Sequence, residues 1–400
     1  MQEIIALKEH EESYIALSED DASVLAERLP DQLTLKATTD QGQYLAKPTS
    51  HVGVVRLPSG RAIVIEPKVR IETLFALLAA VYDPQKEIIR EEPHPYGSVA
   101  ALFEFVVAMF TRHVEELIAR GLLRAYTPLS QELPMVRGRL LIAETIRHRP
   151  GLYDRHRCAF THFSCDIPEN RILRWTAYCL QSGDYREPQL WSRIRSIQHA
   201  LRGATLDVEA RRLFPLLTFH RLNDPYRPAL AMARLLLDHL TFSGSAGSEP
   251  FLAYLVDMNW LFEKYVGALV SRAAPAWQAR ASEQHAHALD AHRGASVRPD
   301  VIVHRRGSPE LVIDAKYKLD PHQSDVYQVI AYCHALDVDQ GVLVHPATER
   351  ITHRTLRILG PGGFSVHYLA LELSGGAESL EAHSAQLTSQ IAALLPGAMP

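Results

Sequence analysis

The chain has 400 residues, of which 47% are hydrophobic and 22% are charged, fractions that are ordinary for a globular protein and exclude wholesale disorder. No run approaches the roughly 18 consecutive apolar residues of a membrane-spanning helix, so we expect no membrane partner. The residues after Met1 soon turn acidic instead of basic and apolar, which excludes a secretory signal and predicts a cytoplasmic protein.

Short β-branched runs separated by turns fill the first part of the chain. Residues 52–57 and 62–65 flank a Pro-Ser-Gly turn at 58–60, a pattern typical of a β-hairpin. Helical spacing of apolar residues follows over 71–81. We therefore predict a β-rich N-terminal domain over residues 1–95.

The middle of the chain is predicted to form a mainly helical, basic domain over residues 96–245. Ser98 and Pro168 stand where helix starts prefer them, and helical spacing covers 98–123, 169–180, 189–202 and 228–240, with irregular or stranded sequence over 126–165. Residues 100–230 contain 19 arginines, no lysine and 13 acidic residues, a formal charge of +6, whereas the whole chain carries −4. This asymmetry indicates either an anionic partner, nucleic acid or acidic protein, or arginines scattered over a solvated surface.

A stretch rich in glycine and serine at residues 241–248 indicates a linker. The segments after it alternate between helical and stranded patterns: helix over 251–272, strands near 277–281, 297–304 and 311–315, helix over 323–336, strands at 341–345 and 365–371, and helix over 379–395. This order predicts an α/β domain over residues 246–400, and an α/β multidomain protein as a whole.

Two predicted strands of this last domain each carry an aspartate. Asp314 and Lys316 are two positions apart on one strand, so they face the same side, and a turn at 307–309 would bring Asp300 onto the neighbouring strand. Adjacent carboxylates repel each other unless a proton or a cation intervenes, and Mg²⁺, or Mn²⁺ in its place, favours hard oxygen ligands. The pattern therefore predicts that Asp300 and Asp314 hold the metal while Lys316 stabilises charge on a cleaved phosphodiester. The alternative is a pair of solvated strand ends with a surface salt bridge.

Three further residues are candidates for the same site. Glu263 lies on the helix that precedes the predicted sheet and could supply a third carboxylate. Gln328 and Tyr332 are four positions apart and share one face of the next helix, where they could hydrogen-bond water or the DNA backbone. The alternatives are an exposed helix acid and an ordinary amphipathic helix.

This set of side chains resembles the PD-(D/E)xK nuclease fold in its RecB-like form. Over most of its length the chain also resembles the McrC family, the nuclease subunits of McrBC-type modification-dependent restriction systems. The stretches that carry this second resemblance, in chain order, lie at 52–55, 65–68, 137–140, 168–173, 221–226, 258–263 and 314–318.

The resemblance implies a Mg²⁺-dependent endonuclease subunit of a type IV restriction system, acting in antiviral defence on double-stranded DNA with modified cytosine. It also implies docking onto a hexameric McrB-like AAA+ GTPase and stimulation of its hydrolysis, with the first 250 residues as the docking part. Candidates for the stimulating cation are Lys68, Arg137 and Arg139, because such a group must approach developing phosphate charge. Their alternatives are a solvated strand end and a turn held by salt bridges.

Two other functions stay open from the sequence. The chain has no Walker A phosphate loop, so any nucleotide hydrolysis is left to a partner. The protein could be mainly an adaptor that activates an AAA+ NTPase and cuts little. It could also be a stand-alone RecB-like exonuclease.

Overall fold

A computed structural model of the chain describes residues 4–82, 97–148, 154–243, 251–284, 286–289, 292, 294–318, 322–347, 353–359 and 363–395. The helices in these ranges are α1 (Glu19–Arg28), α2 (Ile71–Tyr82), α3 (Val99–Arg120), α4 (Ile142–His148), α5 (Pro168–Leu180), α6 (Pro188–Ala200), α7 (Arg227–His239), α8 (Met258–Ala273), α9 (Gln323–Leu336) and α10 (Ala377–Ala393). Short 3-10 helices lie at Ala210–Leu216, Asp224–Tyr226 and Ala274–Trp277. Within the described ranges, every helix falls short of the length and apolar content needed to cross a bilayer.

The strands between the helices confirm the predicted mixed α/β class. They are β1 (Ile4–Lys8), β2 (Ser13–Ala16), β3 (Leu33–Ala37), β4 (Gln43–Pro48), β5 (His51–Arg56), β6 (Ala62–Glu66), β7 (Ala125–Leu133), β8 (Arg139–Leu140), β9 (His156–Ser164), β10 (Leu240–Ser243), β11 (Phe251–Asp257), β12 (Arg280–Glu283), β13 (His287–Ala288), β14 (Ser296–Val297), β15 (Val301–Arg305), β16 (Ser308–Ala315), β17 (Gln340–Pro346), β18 (Arg354–Arg357) and β19 (Ser365–Leu371).

Two compact units divide the chain. One unit combines Met1–Leu102 with Ala253–Pro400, and the other is the continuous segment Phe103–Leu252. The first unit is thus built from both ends of the chain. The sequence pattern instead suggested three domains with boundaries near residues 95 and 245. That division stays a prediction.

The first unit contains a sheet in which strands lie in the order β1, β6, β5, β11. Strands β5 and β6 form the antiparallel hairpin that the sequence predicted, and β1 runs parallel to β6. The predicted helix over 251–272 is wrong in its first part, because Phe251–Asp257 forms β11, antiparallel to β5. All of this strand except Asp257 is buried, as in a strand that is covered on both faces. The Asp257 carboxylate then accepts the Asn259 N–H at 2.9 Å and caps α8.

A second sheet in the same unit has the order β12, β15, β16, β17, β19, β18. Strands β15 and β16 form the predicted antiparallel hairpin, while β16, β17 and β19 run parallel. Helix α9 covers one face of the parallel strands, where Val312 and Leu343 join its core cluster. The predicted turn at 307–309 is displaced: the positive φ angles belong to Arg306 (53°) and Gly307 (89°), so the turn is a two-residue one.

The second unit joins α3, α5, α6 and α7 to a sheet in the order β7, β9, β8. A hydrogen-bond network joins the chain just after α3 to α5 and to the 3-10 helix that precedes α7. Tyr226 donates to Asn170 Oδ1 at 3.0 Å, and Asn170 Nδ2 donates to the carbonyls of Leu123 and Cys165. The asparagine and tyrosine of the two sequence stretches at 168–173 and 221–226 therefore have a structural role.

Candidate active site

The hairpin of β15 and β16 places the two aspartates side by side. Its register pairs Val301 with Ile313, so Asp300 lies opposite Asp314 one position further along. The Ala315 N–H donates to Asp300 Oδ2 at 2.8 Å, which fixes the Asp300 carboxyl against the end of β16. Asp314 is 0% exposed. The two carboxylates therefore meet at the carboxyl end of the parallel strands.

Lys316 approaches both oxygens of the Asp314 carboxylate. Its Nζ donates a hydrogen bond to Oδ1 at 3.0 Å and lies 2.9 Å from Oδ2. In the described part of the chain Oδ2 receives no hydrogen bond, although it is buried. The Lys316 N–H donates to the Val344 carbonyl at 2.9 Å, which holds the lysine next to β17. The Lys316 ammonium thus faces both oxygens of the buried Asp314 carboxylate, but only Oδ1 accepts a hydrogen bond from it.

The acid–base properties of this group reflect burial and mutual repulsion. Burial raises the pKa of Asp300, and the charges of Asp314 and Glu263 raise it further. Burial also raises the pKa of Asp314, and the nearby Lys316 offsets only part of that rise. Although burial acts in the opposite direction, pairing with Asp314 raises the pKa of Lys316. The two aspartates therefore titrate as a pair that favours one shared proton or a cation.

The other three predicted residues lie around this pair. Glu263 on α8 is half-buried, and its Oε1 accepts a hydrogen bond from Gln284 Nε2. Gln328 Nε2 donates to the Tyr332 hydroxyl at 2.5 Å across one turn of α9. Burial and then the charges of both aspartates raise the pKa of the Tyr332 hydroxyl. The structure thus brings all six predicted site residues into one neighbourhood.

The carboxylate oxygens of this site are the type of ligand that a hard cation binds, although they are not arranged to coordinate one. Among the residues described here, no three His, Cys, Asp or Glu side chains are grouped so that they could ligate a metal. The Glu263 carboxylate accepts a hydrogen bond from Gln284, and the Asp300 carboxylate accepts one from the Ala315 N–H. Nevertheless, the buried Asp314 and the half-buried Asp300 have carboxylates with raised pKa values, and Asp314 Oδ2 accepts no hydrogen bond from the described residues. Such carboxylate oxygens match the ligands that Mg²⁺ prefers.

Sequence reasoning missed an ion pair beside the site. Lys318 Nζ lies 3.0 Å from Asp325 Oδ1, and Asp325 is only 3% exposed at the start of α9. Burial acts to raise the pKa of Asp325, but hydrogen bonds from Lys318 and the His322 N–H lower it below its usual range. The signal in the sequence was the second lysine of the 316–318 stretch, two positions after the first.

Sequence reasoning also missed a buried histidine on the same face of the sheet. Asp314 pairs with Leu343 on β17, so His345 two positions later points to the same side. His345 is 0% exposed, its ring stacks on Tyr368 with 6.0 Å between centroids, and neither ring nitrogen has a hydrogen-bond partner in the described residues. Burial lowers the pKa of His345 to about 4.

We expect a His345→Phe variant to resist acid better than the natural protein. Between the usual histidine pKa near 6.5 and about 4, the unfolded chain takes up a proton that folded His345 refuses, so stability falls as pH falls through this window. In the natural protein, this proton uptake lowers the free energy of unfolding by at most about 3 kcal/mol. Denaturant unfolding at pH 7 and pH 4.5 measures it. His334→Phe, which changes an exposed histidine of α9, should keep the natural acid sensitivity, and equal behaviour of the two variants would contradict the prediction.

The three candidate stimulating cations lie in different surroundings. Lys68 belongs to the first unit and is exposed just after β6. Arg137 and Arg139 are exposed in the second unit, where the Arg137 guanidinium lies 4.3 Å above the centre of the Phe160 ring. Between them Gly138 has a φ of 67°, and an added Cβ would lie 2.5 Å from the Ala159 carbonyl oxygen. The arginine pair is therefore presented on a fixed glycine turn.

Large apolar side chains are exposed on the sheet of the second unit and on the neighbouring α4. Tyr126 and Phe163 face each other with ring centroids 5.0 Å apart, and Met135 is 78% exposed. The others are Val136, Ile142 and Ile146. Tyr126 and Phe163 lie near the start of β7, and Met135 and Val136 follow its end.

The chain matches the family described as McrBC 5-methylcytosine restriction system component over residues 46–346. Its fold is similar to a chain in the refined half-complex from the tetradecameric assembly of Thermococcus gammatolerans McrB AAA+ hexamers with bound McrC, with a TM-score of 0.56, 17% identity, and coverage of 97% of this chain and 100% of that one. A chain in the cryo-EM structure of the T. gammatolerans McrBC complex aligns with a TM-score of 0.43, 19% identity, and coverage of 67% and 87%. Curated proteins gave no match.

Proposed function

Because the chain belongs to the McrBC 5-methylcytosine restriction system component family, we propose that it is the DNA-cleaving subunit of such a system. The reaction would be hydrolysis of phosphodiester bonds in double-stranded DNA. The observation that carries this proposal is the convergence of Asp300, Asp314 and Lys316, with the lysine Nζ 3.0 and 2.9 Å from the two Asp314 oxygens.

Asp300 and Asp314 would hold Mg²⁺, with Glu263 as a third oxygen ligand once it leaves Gln284. The raised pKa values of both aspartates support this assignment, because a divalent cation would remove the repulsion that raises them. When bound, the ion would polarise the scissile phosphate and lower the pKa of the attacking water. Mn²⁺ has the same preference for these ligands and would be expected to substitute.

Lys316 would act on the developing negative charge of the phosphate. An ammonium group has three N–H donors, and Asp314 Oδ1 accepts one of them, which leaves others to face a phosphate oxygen. A fixed positive charge in a half-buried site stabilises a transition state more than it would in water. Tyr332, held by Gln328, would orient the water or the backbone of the DNA.

We further propose that this protein docks onto a McrB-like AAA+ GTPase hexamer and stimulates its hydrolysis. The similar chain belongs to an assembly of T. gammatolerans McrB AAA+ hexamers with bound McrC, and exposed apolar side chains of the second unit, such as Met135 and Tyr126, would suit docking. Arg139 in β8 and Arg137 just before it lie in the same unit and are the candidates for the cation that approaches the partner's nucleotide.

The test is cleavage of plasmid DNA with and without 5-methylcytosine, using the full chain, its AAA+ partner and GTP. We expect cutting of the methylated plasmid with Mg²⁺ or Mn²⁺ and none with EDTA. If the partner's GTP turnover rises while neither plasmid is cut, the protein is mainly an adaptor that activates the AAA+ NTPase. Degradation from DNA ends without the partner would instead indicate a stand-alone exonuclease.

A further inference from the structure

A buried glutamate far from the site in sequence lies against the catalytic strand. Glu9 follows β1, is 0% exposed, and donates its N–H to the Glu66 carbonyl at 3.1 Å. Its Oε1 accepts two hydrogen bonds, from the Lys68 N–H at 2.8 Å and from the Tyr317 hydroxyl at 3.0 Å. Its Oε2 is buried and has no hydrogen-bond partner among the described residues. Glu9 thus joins the ends of β1 and β6 to the residue after Lys316.

Tyr317 lies just beyond the end of β16, where the regular hydrogen bonding of that strand stops. Strand β16 ends at Ala315, and beyond it the backbone of Lys316 keeps one bond to Val344. The Lys318 N–H then donates back to the Lys316 carbonyl at 2.8 Å, so the chain turns away from the sheet. Tyr317 is 8% exposed, and its hydroxyl contacts Glu9, whereas the Lys316 ammonium contacts Asp314. The anchorage of Tyr317 and the ion pair of Lys318 with Asp325 both hold the backbone beyond Lys316.

The same tyrosine also contacts the helix that carries the third carboxylate. The rings of Tyr317 and Phe262 are 5.9 Å apart and tilted by 52°. Phe262 is fully buried and directly precedes Glu263 on α8. One side chain therefore lies between two catalytic elements, and its hydroxyl is held by Glu9.

We propose that Glu9 is a positioning residue for the active site, which holds Lys316 over Asp314 by anchoring Tyr317. This inference rests on the proposed function. A role limited to joining β1 and β6 would need only the bond from Lys68 to Oε1. It would not account for a tyrosine hydroxyl bonded to the same oxygen, or for burial of a carboxylate with one unsatisfied oxygen, which is unfavourable for stability.

The test uses Tyr317→Phe, which removes the hydroxyl and keeps the ring and the Lys68 bond to Glu9. We expect kcat for DNA cleavage to fall about 10- to 100-fold, since small displacements of catalytic groups have effects of that size, while KM for DNA stays within about twofold. The control is Tyr265→Phe. It removes another buried tyrosine hydroxyl in the same unit, which is 2.7 Å from Ser384 Oγ, and we expect its kcat to match the natural protein.

Two more measurements make the outcome decisive. Glu9→Gln keeps an oxygen acceptor and should cut within about threefold of the natural protein, whereas Glu9→Leu should fall as far as Tyr317→Phe, with no further loss in the double variant. Reductive ¹³C-methylation of the eight lysines gives an NMR signal for Lys316 that needs no cleavage. In Tyr317→Phe it should move towards the shifts of exposed lysines, and in Tyr265→Phe it should not.

The inference is overturned if Tyr317→Phe cuts like the natural protein, or if Tyr317→Phe and Tyr265→Phe lose cleavage equally. A natural protein that cuts no DNA would refute the proposed function. In that case the Lys316 signal still decides the positioning role, because an unchanged signal in Tyr317→Phe overturns it.

Discussion

An Asp314→Asn variant is expected to lose DNA cleavage by about 1,000-fold or more while remaining folded. Asparagine has nearly the shape of aspartate but carries no charge, so it removes the proposed metal ligand and the charged partner of Lys316 together. Because burial raises the pKa of Asp314 and Lys316 offsets only part of that rise, its ionised form is less favourable in the folded protein than in the unfolded chain. The variant should therefore unfold at the same temperature as the natural protein or at a higher one.

The measurement is cleavage of methylated plasmid with the AAA+ partner and GTP, alongside calorimetry. Asp21→Asn is the matched control, because Asp21 is also 0% exposed and pairs with a cation, with its Oδ2 3.3 Å from Arg61. Burial acts to raise the pKa of Asp21, but hydrogen bonds from Ser59, Ser18 and Arg61 lower it below its usual range. We expect Asp21→Asn to lose stability and to retain cleavage. Retained cleavage in Asp314→Asn would remove the proposed site.

A Gly53→Ala variant is expected to destabilise the first unit by several kcal/mol. Gly53 has a φ of 152°, and an added Cβ would lie 1.9 Å from the Tyr254 carbonyl oxygen. Both residues belong to paired strands, since Gly53 lies opposite Leu255 and Tyr254 lies opposite Val54 in the β5–β11 ladder. No side chain can rotate to relieve the contact, so the strands must separate. We estimate a loss of roughly 4 kcal/mol, in the range of the most damaging point mutations.

Denaturant unfolding, with GTPase stimulation as a second readout, measures the effect of Gly53→Ala. Gly60→Ala is the control, because Gly60 also has a positive φ of 84° but nothing lies within 4 Å of an added Cβ. It should lose only about 1 kcal/mol from backbone strain. If the two variants lose equal stability, the close approach of β5 and β11 is not the reason that residue 53 must be glycine.

The candidate site could be predicted from the sequence because its geometry is local. Period-two alternation placed Asp314 and Lys316 on one face, and the hairpin brought Asp300 opposite. One helical turn joined Gln328 to Tyr332. Glu263 was a candidate because it lies on the helix that precedes the sheet, but its hydrogen bond with Gln284 could not be predicted from that helix.

Other features depend on contacts between distant parts of the chain. The contact between Glu9 and Tyr317 joins residues 308 positions apart, and neither has a local pattern that indicates the other. Strand β11 was predicted to be helical because a short apolar run suits either state, and pairing with β5 decides between them. Helix α1 was missed because its buried Asp21, bonded to Arg61, interrupts the apolar spacing.

The pairing of β5 with β11 also affects how the protein must be made. On the ribosome, β5 emerges about 200 residues before its neighbour, which at roughly 5–20 residues per second leaves its edge without a partner for about 10–40 seconds. An unpaired strand edge invites association with other nascent chains. A product that stops before residue 251 would keep this edge permanently. A fragment of residues 1–245 is therefore expected to aggregate instead of serving as an isolated GTPase activator.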